Sequence, residues 1–386
     1  MSNRNRKTPL GAVVRGVENI IHNPDPRSPG FSEKGLYLLS RCYAKAVRAR
    51  EQQYARGVRR QQRLPCRVIS VGNIAAGGSG KTPMTLHLAR GLLARGLRPV
   101  VISRGYKARM ERSGGIVSDG RRILAAPDQA GDEPFMIASE LPEVPVLVGA
   151  DRFRAGELAV RRFSPDVVIL DDGFQHRRVH RDVDLLLIDG STGFGNGHLL
   201  PRGPLREPVS ALWRADAVIL TRMENADPSA VAAVCQKAAG IPVFRSVHRP
   251  WVYGVARQGG KNPLELESPA FARDLGFLAD ARVFGFSGIA GNREFQRMVT
   301  AISGQIAGFI AYPDHYRYNE ADLEHIAKQA ASAGADWIVT TQKDYPRIRA
   351  WGRLPASVAV IGIRPDLGAE HQLFCSFLGR RLGRPL

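Results

Sequence analysis

Four cysteines in 386 residues (Cys42, Cys66, Cys235 and Cys375) are too few and too scattered for a disulfide scaffold. None forms a CxxC pair, which excludes a zinc ribbon and favours a reducing compartment. Long apolar runs are also missing: nothing approaches the roughly 18–20 consecutive apolar residues that cross a bilayer. The N-terminus lacks the continuous apolar stretch of a secretory signal, so a cytosolic protein, soluble or peripheral, is expected. Acids are scarce, 36 Asp and Glu against 55 Lys and Arg, for a formal charge of +19. That surplus points to a polyanionic partner, whether nucleic acid, an anionic membrane or a phosphorylated substrate, without choosing among them. No internal repeat or low-complexity tract occurs. The 44% hydrophobic content is that of a globular chain, and the length suggests two domains.

The texture changes along the chain. Residues 1–66 are basic, rich in helix formers and free of strand-like runs. In Pro9–Ile21 the apolar residues recur at spacings of three and four, and a second helical stretch from about Ser32 to Gln62 sets Leu36, Leu38, Leu39, Tyr43 and Val47 among arginines. This reads as a helical arm that packs on its own domain, lies on an anionic bilayer, or does both. From Arg67, short β-branched runs alternate with helical stretches: RVISV, PVVIS, VPVLV, DVVIL, VDLLLID, DAVIL and PVFRSV. Continuous apolar runs, rather than strict alternation, mark strands buried on both faces of a parallel sheet. His248–Pro263 has no period and reads as a connector, after which RVFGFSG, GFIAYPD, DWIVTTQKD and VAVIGI form a second series. The expected organisation is an arm (1–66), a P-loop core (67–247), a linker (248–263) and a smaller α/β domain (264–386) whose tail returns to the core.

The strongest local signal is VISVGNIAAGGSGKTP, residues 68–83. A buried strand enters a Gly-rich loop, then Lys81, Thr82 and an amphipathic helix, the order a phosphate-binding loop requires. Backbone N–H groups of such a loop curve around phosphate oxygens, and the helix N-terminus adds its positive end. Residues Ala75, Ala76, Gly77, Gly78, Ser79, Gly80, Lys81 and Thr82 are therefore assigned to a nucleoside triphosphate. Lys81 reaches the β/γ-phosphates and the Thr82 hydroxyl sits on Mg²⁺. The usual pattern has glycine where this chain has Ala75. Partitioning-type ATPases carry a signature lysine where this chain has Ala76, which argues against that subclass.

DVVILDDGFQHRR follows as an apolar strand ending in Asp171 and Asp172. Acids at the C-terminal end of a parallel strand lie at the nucleotide mouth and hold Mg²⁺. Gln175 comes next through a tight turn, and the His176/His180 spacing is set aside as a metal pair because Arg177, Arg178 and Arg181 surround it. In AGDEPFMIA, Asp132 and Glu133 open a helix, where an acid complements the dipole and where a carboxylate is able to accept a hydroxyl proton.

Taken together, GNIAAGGSGKTP, SRGY, GDEP, DDGFQHRR, LLPRGPLREP, FSGIAGNREF, YPDHY and TTQKD, in that order over most of the chain, closely resemble the tetraacyldisaccharide 4′-kinases. The resemblance implies a P-loop NTPase core with a mostly parallel sheet, an N-terminal helical arm and a second, smaller α/β domain joined by a short two-stranded linker. It implies transfer of the γ-phosphoryl of ATP, with Mg²⁺, to the 4′-hydroxyl of a tetraacylated glucosamine disaccharide 1-phosphate in lipid A biosynthesis. The work is expected at the cytoplasmic face of the bacterial inner membrane, by a peripheral monomer without a nucleic-acid partner. Asp132 and His315 are the implied pair activating the acceptor, with Lys81 on the phosphates. Thr82, Asp171 and Asp172, extended by Glu133 and Gln175, are the implied Mg²⁺ set. Arg202 and Arg206 are candidates for the sugar phosphate. The competing reading, carried by charge alone, is a P-loop ATPase that binds nucleic acid or membrane without phosphorylating a small molecule.

Overall fold

A computed structural model describes residues 31–258, 264, 266, 275–314, 316–348, 351 and 356–384. The helical expectation for Pro9–Ile21 and the assignment of His315 lie outside the described residues. The first described element is a 25-residue helix, Phe31–Ala55. The first sheet follows: β1 (Arg67–Gly72), β2 (Pro99–Ser103), β3 (Gly115–Asp119), β4 (Pro145–Val148), β5 (Val167–Asp171), β6 (Val183–Asp189), β7 (Ala217–Thr221) and β8 (Val243–Arg245). Its spatial order is β3-β4-β2-β5-β1-β6-β7-β8, parallel throughout except for β3 at one edge. β2, β5 and β7 are buried at every residue, which is why they read as unbroken apolar runs rather than alternations. The helices Lys81–Leu93, Asp132–Glu140 and Arg152–Phe163 connect these strands. The central position of β1 and β5 brings the loop after β1 beside the acids ending β5, since Val71 pairs with Asp171 in register.

The second sheet takes β9 (Val247–Ala256), β10 (Arg282–Ser287), β11 (Gln305–Ala311), β12 (Trp337–Thr341) and β13 (Ser357–Asp366), ordered β11-β10-β12-β13-β9. The aperiodic segment after residue 247, read as a connector, is in its first half a ten-residue strand. It carries Pro250 and is an edge strand paired antiparallel to β13 from Val247↔Asp366 to Val358↔Ala256, so it has no two-faced pattern to display. Only Ser246 separates β8 from β9. β12 covers β13 only as far as Ile361, so the outer halves of β9 and β13 run on as a two-stranded ribbon toward the first sheet.

After β13 the helix His371–Leu382 goes back to the first domain. Phe374, Phe377, Leu378 and Leu382 join the core that holds Ile69, Val183, Leu185, Leu187 and Phe244. The Phe374 ring meets Phe244 edge-on at 5.1 Å and is 1% exposed. Truncating it leaves a cavity in the core. Phe374→Ala is expected to cost about 3–5 kcal/mol of folding free energy, measured by chemical denaturation.

Candidate active site

The phosphate loop is shaped by two backbone requirements. Gly77 (φ +111°) and Gly80 (φ +79°) adopt conformations that side chains resist, and a Cβ at Gly80 would lie 2.8 Å from Nε2 of His248. Ala75 and Ala76 need no such freedom. They lie against the segment after Leu199: Ala75 bridges Leu205, the Ala76 N–H donates to the Pro204 carbonyl (2.7 Å), and the Arg206 N–H donates to the Ile74 carbonyl (2.6 Å). The missing first glycine thus reflects extended pairing, and the Ala76 N–H is spent on protein. Asn73 donates to the Ser79 hydroxyl (2.9 Å), and Thr221 donates to the Ser79 carbonyl (3.1 Å), fixing the other limb. Lys81 and buried Thr82 begin the helix at the open end of the loop.

Asp171 and Asp172 stand opposite this loop. Asp171 is buried and accepts hydrogen bonds from Thr85 (3.1 Å) and Ser103 (3.2 Å). Burial, then the charges of Glu133 and Asp172, push its pKa up to about 7. Asp172 holds a left-handed backbone (φ +51°), unusual for a non-glycine residue, which turns its carboxylate to Lys81 at 3.6 Å and Arg206 at 3.1 Å. Burial raises the Asp172 pKa, but those two cations outweigh it and hold it below the usual range. Gln175 donates its amide to the Asn73 carbonyl (2.7 Å), bracing the loop from behind.

The helix Asp132–Glu140 brings the other acids. Glu133 lies 3.4 Å from Lys343, whose charge, aided by Lys81, lowers its pKa. Asp132 turns to the second domain, where Arg347 donates to its Oδ2 from Nη2 (2.7 Å) and Nε (3.1 Å). At the far end of the helix Glu140 bonds Arg90 and Gln342. Of the two GDEP acids it is therefore Glu133 that shares the field of Lys81, while Asp132 faces the cleft between domains. Arg202 is 3% exposed, and Arg206, partly exposed, is engaged by Asp172.

Three arginines at the site carry no sequence signal, because single arginines do not stand out in so basic a chain. Arg152 is buried, donates to the Gly149 and Ala150 carbonyls (both 3.3 Å), and lies within the field of Asp172 and Asp171. Arg222 (φ +55°) pairs with Asp189 at 2.6 Å, and its Nη2 would lie 3.7 Å from a Cβ at Gly78. Arg347 is the third. Among the described residues no three His, Cys, Asp or Glu side chains form a metal site by themselves. Hydroxyl and carboxylate oxygens at Thr82, Asp171 and Asp172 are nonetheless the hard donors Mg²⁺ takes, with nucleotide phosphates and water completing its shell.

Residues 33–382 match the family model described as tetraacyldisaccharide-1-P 4′-kinase. The chain is 42% identical to the tetraacyldisaccharide 4′-kinase of Syntrophus aciditrophicus over 350 residues, covering 87% of this chain and 91% of that one. It is 37% identical to the enzyme of that name from Desulfatibacillum aliphaticivorans, covering 97% and 99%. It is also similar to the crystal structure of the "apo" form of LpxK from Aquifex aeolicus in complex with ATP. There the TM-score is 0.69 at 30% identity, over 91% of this chain and all of that one.

The raised pKa of Asp171 has a stability consequence. Between its unfolded value near 4 and its folded value of about 7, the folded state binds the extra proton, so its contribution is present at low pH and lost as pH rises through 7. Asp171→Asn, uncharged at every pH, is expected to raise the melting temperature of the nucleotide-free protein at pH 8 and to change it much less at pH 5. Thermal melts at the two pH values check this.

Proposed function

The chain belongs to the tetraacyldisaccharide-1-P 4′-kinase family, and from that premise we infer how its own residues perform the transfer. The reaction is ATP-dependent phosphorylation of the 4′-hydroxyl of an acylated glucosamine disaccharide 1-phosphate, which yields the bisphosphorylated lipid A precursor. The observation that carries the assignment is the meeting of Lys81 with Asp172 at the open end of a phosphate loop whose Gly77 and Gly80 are in left-handed conformations. The N–H groups from Gly77 to Thr82 take the triphosphate, and Lys81 takes the β/γ-oxygens. Thr82, Asp171 and Asp172 would hold Mg²⁺, which when bound offsets charge on the transferring group. Arg206 holds Asp172 in place. Asp132, at the cleft mouth, accepts the proton of the sugar hydroxyl, with His315 as its partner. Lys81→Ala is expected to lower kcat by about a hundredfold or more, the usual cost of losing one preorganised charge at a developing anion. Mass spectrometry of the lipid product after incubation with ATP, Mg²⁺ and acceptor reads it, and wild-type turnover in this variant would remove the site.

The N-terminal helix supplies the lipid contact in this reading. One side is fixed to the core: Ser40 donates to the Leu199 carbonyl (2.8 Å), Tyr43 to the Arg206 carbonyl (3.0 Å), and Glu51 pairs with Arg214 (3.2 Å). The other leaves Leu38 and Leu39 exposed near Arg41, Lys45 and Arg48. An apolar strip flanked by cations suits an anionic leaflet, here the cytoplasmic face of the inner membrane, visited peripherally by a monomer. The positive charge is thereby assigned to lipid and to the substrate's 1-phosphate rather than to nucleic acid. Among the described residues no helix is long and apolar enough to cross a membrane. Replacing both Leu38 and Leu39 with Glu is expected to weaken sedimentation with anionic vesicles at least about tenfold while leaving ATP affinity unchanged.

A further inference from the structure

Two second-domain motifs, FSGIAGN and TTQKD, take no part in the phosphate loop, yet their residues converge on Arg347. Asp344 is fully buried and accepts four hydrogen bonds besides that of the arginine. The Gly288 N–H reaches both of its oxygens (3.1 and 3.2 Å), the Thr341 hydroxyl donates at 2.6 Å and the Tyr318 hydroxyl at 3.1 Å. That carboxylate and the Gly288 carbonyl hold Nη1 of Arg347 at 3.4 and 3.3 Å. The arginine side chain is 9% exposed, and its opposite edge crosses the cleft to Oδ2 of Asp132.

We propose that Arg347, anchored by Asp344, is a positioning residue for phosphoryl transfer: it fixes the Asp132 carboxylate in the cleft where the acceptor hydroxyl loses its proton. The inference rests on the assignment of Asp132 as proton acceptor made above. Asp132 sits in the first turn of its helix with its side chain 36% exposed, so burial alone does not select one rotamer. Two donors on one oxygen from a guanidinium that is itself anchored do select one, and a planar fork does this where a lysine's point charge would not. A general base must be placed to within a fraction of an ångström, and an error of about 1 Å costs about a hundredfold. A plain interdomain latch explains less. The same helix is already gripped across the cleft by Lys343 on Glu133 and by Gln342 on Glu140. Losing Arg347 leaves those contacts to hold the domains but removes both guanidinium donors from Oδ2 of Asp132.

The test is steady-state kinetics of the full chain with ATP, Mg²⁺ and the acylated disaccharide 1-phosphate in detergent, with thermal melts as the folding control. Arg347→Ala is expected to lower kcat about ten- to a hundredfold with the acceptor KM within about threefold. Arg347→Lys should recover part of the loss. The double variant Asp132→Asn/Arg347→Ala should be no slower, within about twofold, than Asp132→Asn alone. If Arg347→Ala does not fold, Arg347→Lys and the isosteric Asp344→Asn carry the test, both lowering kcat rather than raising KM. Wild-type kcat in folded Arg347→Ala, a raised KM with kcat intact, or full additivity in the double variant would overturn the inference while leaving Asp132 as the base. Wild-type turnover by Asp132→Asn would instead overturn the base assignment, and the inference with it.

Discussion

Three carboxylates of the first domain, Asp171, Asp172 and Glu133, crowd around one lysine at the tip of β5. Like charges brought together repel, by about 4 kcal/mol for a pair at 4 Å and an effective dielectric near 20. The fold answers this locally in three ways. Asp171 retains a proton near neutrality. Asp172 is drawn to Lys81 and Arg206. Glu133 takes a cation from the other domain. The residual negative charge suits a site that works with a divalent cation and a triphosphate. The protein is least content empty, and what it binds completes its electrostatics.

The bracing of the phosphate loop follows from the same need for preorganisation. The segment from Leu199 to Arg206 pairs with the loop on one side and receives Ser40 and Tyr43 of the N-terminal helix on the other. The helix that exposes leucines to its surroundings is thus one backbone layer from the triphosphate. On the opposite flank His248, near the start of β9, rests on Gly80. Both routes out of the site, to the N-terminal helix and to the second domain, start from the loop itself.

Much of this was legible in the sequence where burial is two-sided. The parallel strands β1, β2, β4, β5, β6, β7, β10, β12 and β13 show as continuous apolar runs because helices cover both faces. β3 and β9 did not show. Each is an edge strand paired antiparallel on one side, β9 with a proline and a glycine inside it. The phosphate loop and β5 acids were legible because their chemistry is contiguous in sequence. Arg152, Arg222 and Arg347 were not, since each acquires meaning only from partners brought to it by the fold, 215 residues away for Arg347 and Asp132. The TTQKD motif shows in the sequence only as part of the resemblance, and its role comes from Asp344, buried behind the arginine.

The cross-cleft contacts are not equivalent, and burial ranks them. Lys343 and Glu133 are each about two-fifths exposed, so water screens the pair and it is worth about 0–1 kcal/mol. Arg347 is different, since one face is committed to a buried carboxylate that cannot relax. Removing the arginine would leave the buried Asp344 carboxylate without its counter-charge, and such losses far exceed the net worth of a pair. A weak, exposed pair yields easily when the domains shift. A strong, anchored one holds a single geometry and resists intermediate ones. The domains therefore meet through contacts of both kinds along one helix, the permissive pair at the acid nearest the triphosphate and the exacting pair at the acid facing the acceptor. With Asp132 as the proposed proton acceptor, that division places the geometric stringency at the proton transfer and leaves tolerance beside the phosphate loop.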